Sequence, residues 1–233
     1  MLKNTLSQKI NSKSIPKQFT HNFIDKIELE ETYADGRRYY KLPNGTLVPS
    51  VTSVLSTLSK DHISVWRDRI GHENADKITT QAKTRGTAIH NLCERYLLND
   101  PDYTQGAMPI NLFNFTHLKT QLDTHVDHIR AIEHALYSYV LRTAGRTDLI
   151  AEWDGRLSII DFKTSTKIKK KEWIESYFLQ ATCYSIMLEE LTGLRAEQLV
   201  ILISVDHEEP QIFRESRSSW ENKTLEVFKN HSV

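Results

Sequence analysis

Two aspartates and a lysine occur in a pattern that can bind a cation. Asp148 lies in the stretch GRTDLIAEW, and Asp161 and Lys163 lie in the stretch IIDFKTS. Carboxylate oxygens are the ligands that Mg²⁺ prefers, and the ion usually retains several waters. Such an ion can polarise a phosphodiester and activate water, while a nearby lysine orients that water or neutralises charge on phosphorus. The backbone carbonyl of Phe162 is a further candidate ligand. The alternative is a fortuitous pair of solvated acids.

The element that must position these side chains is a hairpin. Asp154-Gly155 separates two apolar runs, which is a strong signal for a two-residue type I′ turn. With that turn, Asp148 faces Asp161, and Arg146 faces Lys163. Side chains two residues apart project from the same face of a strand. The pattern therefore predicts two carboxylates and an ammonium group at one end of the hairpin.

The composition is that of a soluble globular protein. The chain has 233 residues, of which 30 are basic and 30 are acidic. It has no apolar stretch long enough to span a membrane and no secretory signal, so we expect no membrane partner and a cytoplasmic location, with the mitochondrial matrix as the less favoured alternative. Cys93 and Cys183 lie in apolar helical patterns and are expected to be buried and reduced. Two cysteines exclude an iron–sulfur cluster that needs four.

The periodicity predicts an α/β (α+β) fold with a central mixed β-sheet flanked by helices. We expect an N-terminal arm over 1–38, partly disordered, and a single domain over 39–233. Within that domain, 39–125 is mainly helical, 126–215 forms the sheet core and 216–233 contains a C-terminal helix. Short strands are predicted at 39–41 and 46–48 and a strand from Ile129 to about Tyr139 in which Ile129, Ala131 and Glu133 alternate. Residues 101–112 are predicted to be a loop and 115–125 a helix.

These residues together resemble the PD-(D/E)XK nuclease superfamily, in which an acid precedes an acid-x-lysine on the adjacent strand. The proline usually found before the first acid is Thr147 here. GRTD and DFKTS resemble the RecB-like exonuclease branch, which includes phage exonucleases and the mitochondrial genome maintenance exonuclease. Gln180 and Tyr184 match that branch's Gln-x-x-x-Tyr motif, and RGTAIHNLCERYL places His90 on an upstream helix. The resemblance covers roughly residues 39–205.

The resemblance implies a restriction-endonuclease-like core with a helical N-terminal region that forms a channel wall. It also implies a Mg²⁺- or Mn²⁺-dependent deoxyribonuclease with one or two ions. The implied metal ligands are His90, Asp148 and Asp161, with Lys163 assisting the chemistry. Gln180 and Tyr184 would help to position DNA and the lysine, unless they only satisfy one another beneath the sheet.

Further acids and bases extend this set. Glu94 lies one helical turn after His90 and is expected either to bind metal-held water or to form a salt bridge. Glu133 is expected either to take part in the metal shell or to pair with an arginine. The guanidinium groups of Arg85 and Arg146 match the geometry of phosphate oxygens, although surface salt bridges would explain these arginines equally. The KIKKK run is either a solvated face or a DNA contact. The candidate DNA-binding residues are Arg85, Arg146, Thr164, Ser165, Lys167, Lys169, Lys170 and Lys171.

The expected activity is that of a DNA exonuclease acting on single-stranded or frayed ends in phage-type replication, recombination or repair. The choice of exonuclease follows from the family resemblance. One alternative is a structure-specific endonuclease with the same site. The other is a catalytically inactive module that binds nucleic acid.

Overall fold

A five-stranded mixed sheet forms the centre of the protein, whose computed structural model describes residues 17–231. A smaller antiparallel sheet of three strands precedes it in the chain, and helices lie on both faces of the larger sheet. The strands are β1 (Glu30–Ala34), β2 (Arg37–Lys41), β3 (Leu47–Pro49), β4 (Val126–Ser138), β5 (Thr143–Trp153), β6 (Arg156–Ser165), β7 (Gln198–Val205) and β8 (Gln211–Ser216). The helices are α1 (Val51–Ser56), α2 (Lys60–Ile70), α3 (His72–Leu97), α4 (Pro109–His125), α5 (Glu175–Thr192) and α6 (Glu221–Asn230). The predicted fold class is confirmed.

The order of strands in the large sheet is β4-β5-β6-β7-β8. All neighbouring pairs are antiparallel except β6 and β7, which are parallel and are connected through α5. The β5–β6 hairpin has the predicted turn, because Trp153 pairs with Arg156 and the two turn residues both have positive φ, 52° at Asp154 and 72° at Gly155. This combination defines a type I′ turn, whose twist matches that of the flanking strands.

Strand β4 does not keep the predicted alternation. Its pairing with β5 shifts register between Asp127 and Ala131. As a result Ile129 packs against α3 and α4, while Ala131 packs on the opposite face against α5. A second irregularity lies at Glu133, which has a φ of 45° in the middle of the strand. Such bulges re-aim side chains and are frequent beside active sites.

Two apolar clusters hold the helices against the sheet. One contains Phe178 and Met187 of α5 together with Ile159 and Ile201 of the strands, and the other contains Leu92 of α3 together with sheet and α4 residues. Full burial of one such side chain contributes about 1.5–3 kcal/mol relative to exposure. Both cysteines are free and buried, as predicted. The sheet is therefore fixed between two helical layers.

The helical termini follow local signals. Helix α2 ends at Gly71, which has a φ of 83°, and α5 ends at Gly193 in the left-handed conformation. Ser50 caps α1 by accepting a hydrogen bond from the Ser53 amide at 3.0 Å. Helix α2 has no buried residue, and its Val65 side chain is 68% exposed. Among residues 17–231, no helix is long and apolar enough to cross a membrane.

The first half of the chain differs from the sequence prediction at one helix boundary and by one additional strand. Helix α4 begins at Pro109 rather than at residue 115, so the loop is shorter than expected. Proline suits the first turn because the amide it lacks would have no helical partner. Strand β1 was not predicted, and it pairs with β2 across an Asp35-Gly36 turn.

Part of the predicted arm runs alongside β4. The Ile129 amide donates to the Thr20 carbonyl at 2.8 Å, and the Ile24 amide donates to the Arg130 carbonyl at 2.9 Å. Residues 1–16 of that arm lie outside the described residues. The division into an arm and one nuclease domain stays a prediction.

Candidate active site

The site lies where β5 and β6 diverge. Their pairing ends at Leu149 and Ile160, beyond which β5 pairs with β4 and β6 continues beside β7. Just past the last pair, the Phe162 amide donates a 2.7 Å hydrogen bond to Asp148 Oδ2. The carboxylate therefore takes the place of a backbone acceptor, which holds it between the separating strands.

Asp148, Asp161 and Lys163, the three residues of the predicted cation-binding pattern, are close together. Asp161 is 2% exposed, and its Oδ2 forms an ion pair with Lys163 Nζ. Burial and then the negative charge of Asp161 raise the pKa of Asp148 to about 7. Burial alone would lower the pKa of Lys163, but the charges of Asp161 and Asp148 outweigh it and raise that pKa. Because Asp148 accepts from the amide of Phe162, which lies between Asp161 and Lys163 in the chain, the two carboxylates and the ammonium share this end of the hairpin.

The β5–β6 pairing ends before the predicted Asp148–Asp161 and Arg146–Lys163 pairs, so both of these register predictions were wrong. Because the strands separate before this point, Arg146 pairs with Ala135 of β4 and Lys163 pairs with Ile203 of β7. The guanidinium of Arg146 donates instead to the backbone carbonyl of Glu133 at 2.6 Å. Its side chain lies at the surface beside the site.

His90 lies on α3, and its side chain reaches the point at which β5 and β6 separate. Its Nε2 lies 2.9 Å from the Phe162 carbonyl, and a carbonyl only accepts, so Nε2 carries the proton. Its Nδ1 lies 3.6 Å from Asp148 Oδ1 and 3.7 Å from Glu133 Oε1. A hydrogen bond through one imidazole nitrogen orients the other toward a metal in many proteins. The Phe162 carbonyl thus serves here as an acceptor for His90, and its role as a metal ligand stays a prediction.

One group of metal-binding side chains forms among residues 17–231. One ligand atom from each of His90, Glu133 and Asp148 lies within 4.8 Å of the others. Two carboxylates and an imidazole fit a divalent cation, and the carboxylates favour Mg²⁺ or Mn²⁺. Asp161 is not in this group, although its Oδ1 is buried without a hydrogen-bond partner in the described chain. Its role as a ligand stays a prediction.

The titration of the group reflects its crowded negative charge. Burial would lower the pKa of His90, but its interactions with Glu133 and Asp148 raise it to about 9. Burial, reinforced by the charge of Glu133, raises the pKa of Glu94. Burial is the largest cause of the raised pKa of both Asp148 and Glu94. Two carboxylates and an imidazole whose ligand atoms lie within 4.8 Å of one another fit a divalent cation.

Lys163 has an aromatic neighbour that the sequence reasoning missed. Its Nζ lies 5.0 Å from the centroid of the Tyr177 ring, over the ring face. Such cation–π contacts are stronger when the cation is removed from water. Tyr177 lies three residues before Gln180, on the same helical face. The three-residue spacing from Gln180 was the sequence signal that could have identified Tyr177 as a neighbour of the site.

The glutamine and tyrosine of α5 pack against strand β5. Tyr184 is buried, which raises its pKa, and the side chain of Gln180 interacts with its hydroxyl. A Cβ added to Gly145 would lie 2.7 Å from the Tyr184 hydroxyl oxygen, which real Cβ atoms do not tolerate. Gly145, the first residue of GRTD, therefore permits close contact between the helix and the strand. This role was also missed.

Arg85 is engaged within the protein. Its Nη1 lies 3.1 Å from Asp206 Oδ2, and the Asn114 amide donates to the other oxygen of that carboxylate at 3.2 Å. Both members of the Arg85–Asp206 pair are mostly shielded from solvent, at 21% and 24% side-chain exposure. The salt-bridge alternative therefore describes this arginine in the structure, and a phosphate contact stays a prediction.

The basic run is partly neutralised. Lys171 forms an ion pair with Glu215, and Lys170 Nζ lies 5.5 Å from the ring centroid of Trp173. The Lys169 backbone exchanges two hydrogen bonds with the Gln211 side chain, at 2.7 Å and 2.9 Å.

The remaining candidates lie just before that run, at the end of β6. Ser165 is buried, and its hydroxyl donates to the Lys167 carbonyl at 2.5 Å. Thr164 is half-buried, with its hydroxyl near Gly86 of α3. The proposed DNA contacts of all these residues stay predictions.

The metal-binding group opens into two adjoining cavities. The smaller, about 340 Å³, is lined by His90, Glu94 and Glu133 with neighbouring residues of α3. The larger, about 520 Å³, shares Glu94 and Glu133 with the first and extends along β4. A ligand in either cavity would therefore reach Glu133, the member of the group that lines both.

The chain belongs to the PD-(D/E)XK nuclease superfamily, whose family profile matches residues 66–229. The matched range contains His90, both aspartates of the hairpin and Lys163. The resemblance inferred from sequence is confirmed.

Two curated relatives, from human and mouse, carry the same name. The chain is 30% identical over 151 residues to the human Mitochondrial genome maintenance exonuclease 1, and 27% identical over 130 residues to the mouse protein. The matches cover 59% and 52% of this chain but only 43% and 38% of those proteins. A crystal structure named "Putative exonuclease" from Eubacterium rectale aligns with a TM-score of 0.40 and 11% identity, over 64% of this chain and 69% of that one.

Proposed function

We propose that this nuclease is a metal-dependent DNA exonuclease that takes single-stranded or frayed ends, in replication, recombination or repair. The observation that carries the proposal is the clustering of His90, Glu133 and Asp148 beside the Asp161–Lys163 pair. The curated relatives named above are exonucleases, which supports a requirement for a free end. DNA is the polymer that we infer as the substrate.

The three clustered side chains would hold Mg²⁺ or Mn²⁺, with Asp161 nearby on the next strand. The ion would supply Lewis-acid activation of water and neutralise charge on the reacting phosphate. His90 presents Nδ1 because its Nε2 is bound to the Phe162 carbonyl. Asp148 is oriented by the Phe162 amide. The protein therefore positions two of the three donors through a single backbone residue.

Lys163 would contribute positive charge to the scissile phosphate. In hydrolysis, a water oxygen bonds to phosphorus, the phosphorus–oxygen ester bond breaks, and the leaving oxygen takes up a proton. The raised pKa of Lys163 keeps its ammonium charged at neutral pH. Asp161 and the Tyr177 ring hold that ammonium in place. Donors fixed before the reaction stabilise developing charge without reorganisation.

The helical segment that carries His90 would form one wall of the DNA channel. Helix α3 borders the smaller cavity through Gly86, Thr87 and Asn91 as well as through His90 and Glu94. A wall on this side would favour a strand that enters by its end. We infer this from the position of α3 beside the metal-binding group.

The test compares cleavage of end-labelled single-stranded DNA, duplex DNA and a closed single-stranded circle, in Mg²⁺, Mn²⁺ and EDTA. Glu133→Gln removes one charged donor from the group, whereas Glu226→Gln changes an exposed glutamate on α6 as a matched control. We expect metal-dependent digestion of the linear single strand and none of the circle. Glu133→Gln should lower the apparent metal affinity by about tenfold or more.

Three outcomes would contradict the proposal. Cutting of the closed circle would identify an endonuclease. Binding of DNA without hydrolysis in either metal would identify an inactive module. Equal metal dependence of Glu133→Gln and wild type would remove the clustered carboxylate from the mechanism.

A further inference from the structure

A stacked aromatic pair borders the larger cavity, outside the part of the chain that the superfamily profile matches. The rings of His21 and Phe23 are 4.8 Å apart between centroids and inclined by 16°. His21 is anchored through Nε2, 2.8 Å from the Leu97 carbonyl. Phe23 is 52% exposed and lines the cavity together with Leu98. A rigidly supported ring thus presents an open face to the groove.

The groove is lined by charged side chains of both signs. Glu94 and Glu133 line the end that it shares with the metal-binding group. Arg130 and Arg146 also line it, and no acidic side chain of residues 17–231 lies within ion-pair distance of either guanidinium. Guanidinium groups without a carboxylate partner match the geometry of phosphate oxygens, and that of Arg146 is held in place by its hydrogen bond to the Glu133 carbonyl. The groove therefore combines carboxylates that suit a cation with guanidinium groups that suit a phosphate.

The size of the groove suits one nucleotide. Its volume is about 520 Å³, and ligand pockets range from about 300 to 1,000 Å³. Lys26 and Glu28 also line it, but they form an ion pair with each other at 2.8 Å and add no net charge. An aromatic face beside free cations is the combination that single-strand binding sites use.

We propose that the groove defined by Phe23, Arg130 and Arg146 binds one unpaired base of a DNA strand and an adjacent phosphate. The base stacks on Phe23, and the two arginines contact the backbone. This inference rests on the proposed function for the identity of the polymer. A duplex does not fit the site, because its bases are stacked inside the helix. The groove would thereby hold the strand next to the position of hydrolysis and favour single-stranded DNA.

The test measures binding of a fluorescein-labelled thymidine homopolymer in EDTA, where metal-dependent cleavage is suppressed. Phe23→Ala removes the stacking face, and Phe23→Trp retains one. Phe113→Ala is the matched control, because Phe113 is 53% exposed and packs on His117 at 5.2 Å but does not line the groove. A second probe carries abasic residues in place of the bases. Thermal unfolding of each variant checks that the exposed substitutions leave the fold intact.

We expect Phe23→Ala to weaken binding of the homopolymer by about tenfold, since stacking of one base on an aromatic ring is of that size. Phe23→Trp and Phe113→Ala should bind like wild type, and the abasic probe should not distinguish Phe23→Ala from wild type. Equal losses in Phe23→Ala and Phe113→Ala would overturn the inference, as would unchanged binding in Phe23→Ala or no binding by wild type. Stacking-dependent binding without any cleavage would overturn the proposed function and leave this inference standing.

Discussion

Replacement of Lys163 by alanine should destabilise the folded protein as well as impair cleavage. Asp161 is 2% exposed, and in the described chain its Oδ2 is paired only with Lys163 while its Oδ1 has no hydrogen bond. The substitution leaves this carboxylate buried without its countercharge. It also removes one of the two positive groups that act on Asp148.

The size of the effect follows from the burial of the pair. Removal of one partner from a buried ion pair costs about 3–5 kcal/mol, because the other charge stays desolvated. That is a large share of the roughly 5–15 kcal/mol that separates folded from unfolded domains. For a domain of this size, 1 kcal/mol corresponds to about 2–4 °C in Tm. We therefore expect Lys163→Ala to lower the Tm by roughly 6–20 °C in EDTA.

Urea and thermal denaturation in EDTA measure this cost. Lys223→Ala is the matched control, since Lys223 pairs with Glu175 at 2.6 Å but both side chains are about half exposed, at 50% and 47%. That surface pair should be worth about 0–1 kcal/mol. The double substitution Lys163→Met with Asp161→Asn removes both charges and should recover much of the stability. A loss for Lys163→Ala no larger than that for Lys223→Ala would refute the reasoning.

Two further predictions concern the same site. The pKa of Asp148 is raised from 3.8 to about 7, and that of His90 is raised from 6.5 to about 9. The folded state therefore binds protons that the unfolded state releases. Because of this difference, the free energy of unfolding in EDTA should fall as the pH rises from about 4 to about 9. Urea denaturation across this range checks the sign, and a rise between pH 7 and 9 would contradict it. Gly145→Ala should cost about 1–3 kcal/mol through overpacking, and Tyr184→Phe should recover part of that cost because the shortest contact, 2.7 Å, is with the hydroxyl. Denaturation of both single variants and the double variant measures the coupling, and a Gly145→Ala protein as stable as wild type would contradict the reported contact.

Local signals explain why the hairpin could be predicted. Asp154-Gly155 defines the turn. The position of the turn determines which residues of β5 and β6 oppose each other, as far as Leu149 and Ile160. Strand β1 escaped prediction because all five of its residues are exposed, so it has no apolar alternation. Pro109 is a sequence signal for the beginning of α4, because proline is favoured in the first turn of a helix.

The details of the site depend on contacts between distant parts of the chain. Strands β5 and β6 separate beyond Leu149 and Ile160, where each still pairs with its other neighbour, β4 or β7. The separation places Arg146 away from Lys163. Glu133 reaches His90 from β4, through a contact between elements that are distant in the chain. Likewise Arg85 and Asp206 are 121 residues apart in the chain. Their pairing depends on how α3 packs over the sheet, which a single sequence does not encode locally.

The absence of buried residues in helix α2 has an evolutionary consequence. The helix is joined to α3 by an ion pair at its surface, between Arg67 and Asp76 at 2.6 Å. Since no side chain between Lys60 and Ile70 is buried, substitutions there should disturb the catalytic sheet less than substitutions in the hairpin. We therefore expect α2 to diverge faster than the hairpin among relatives that share the same chemistry.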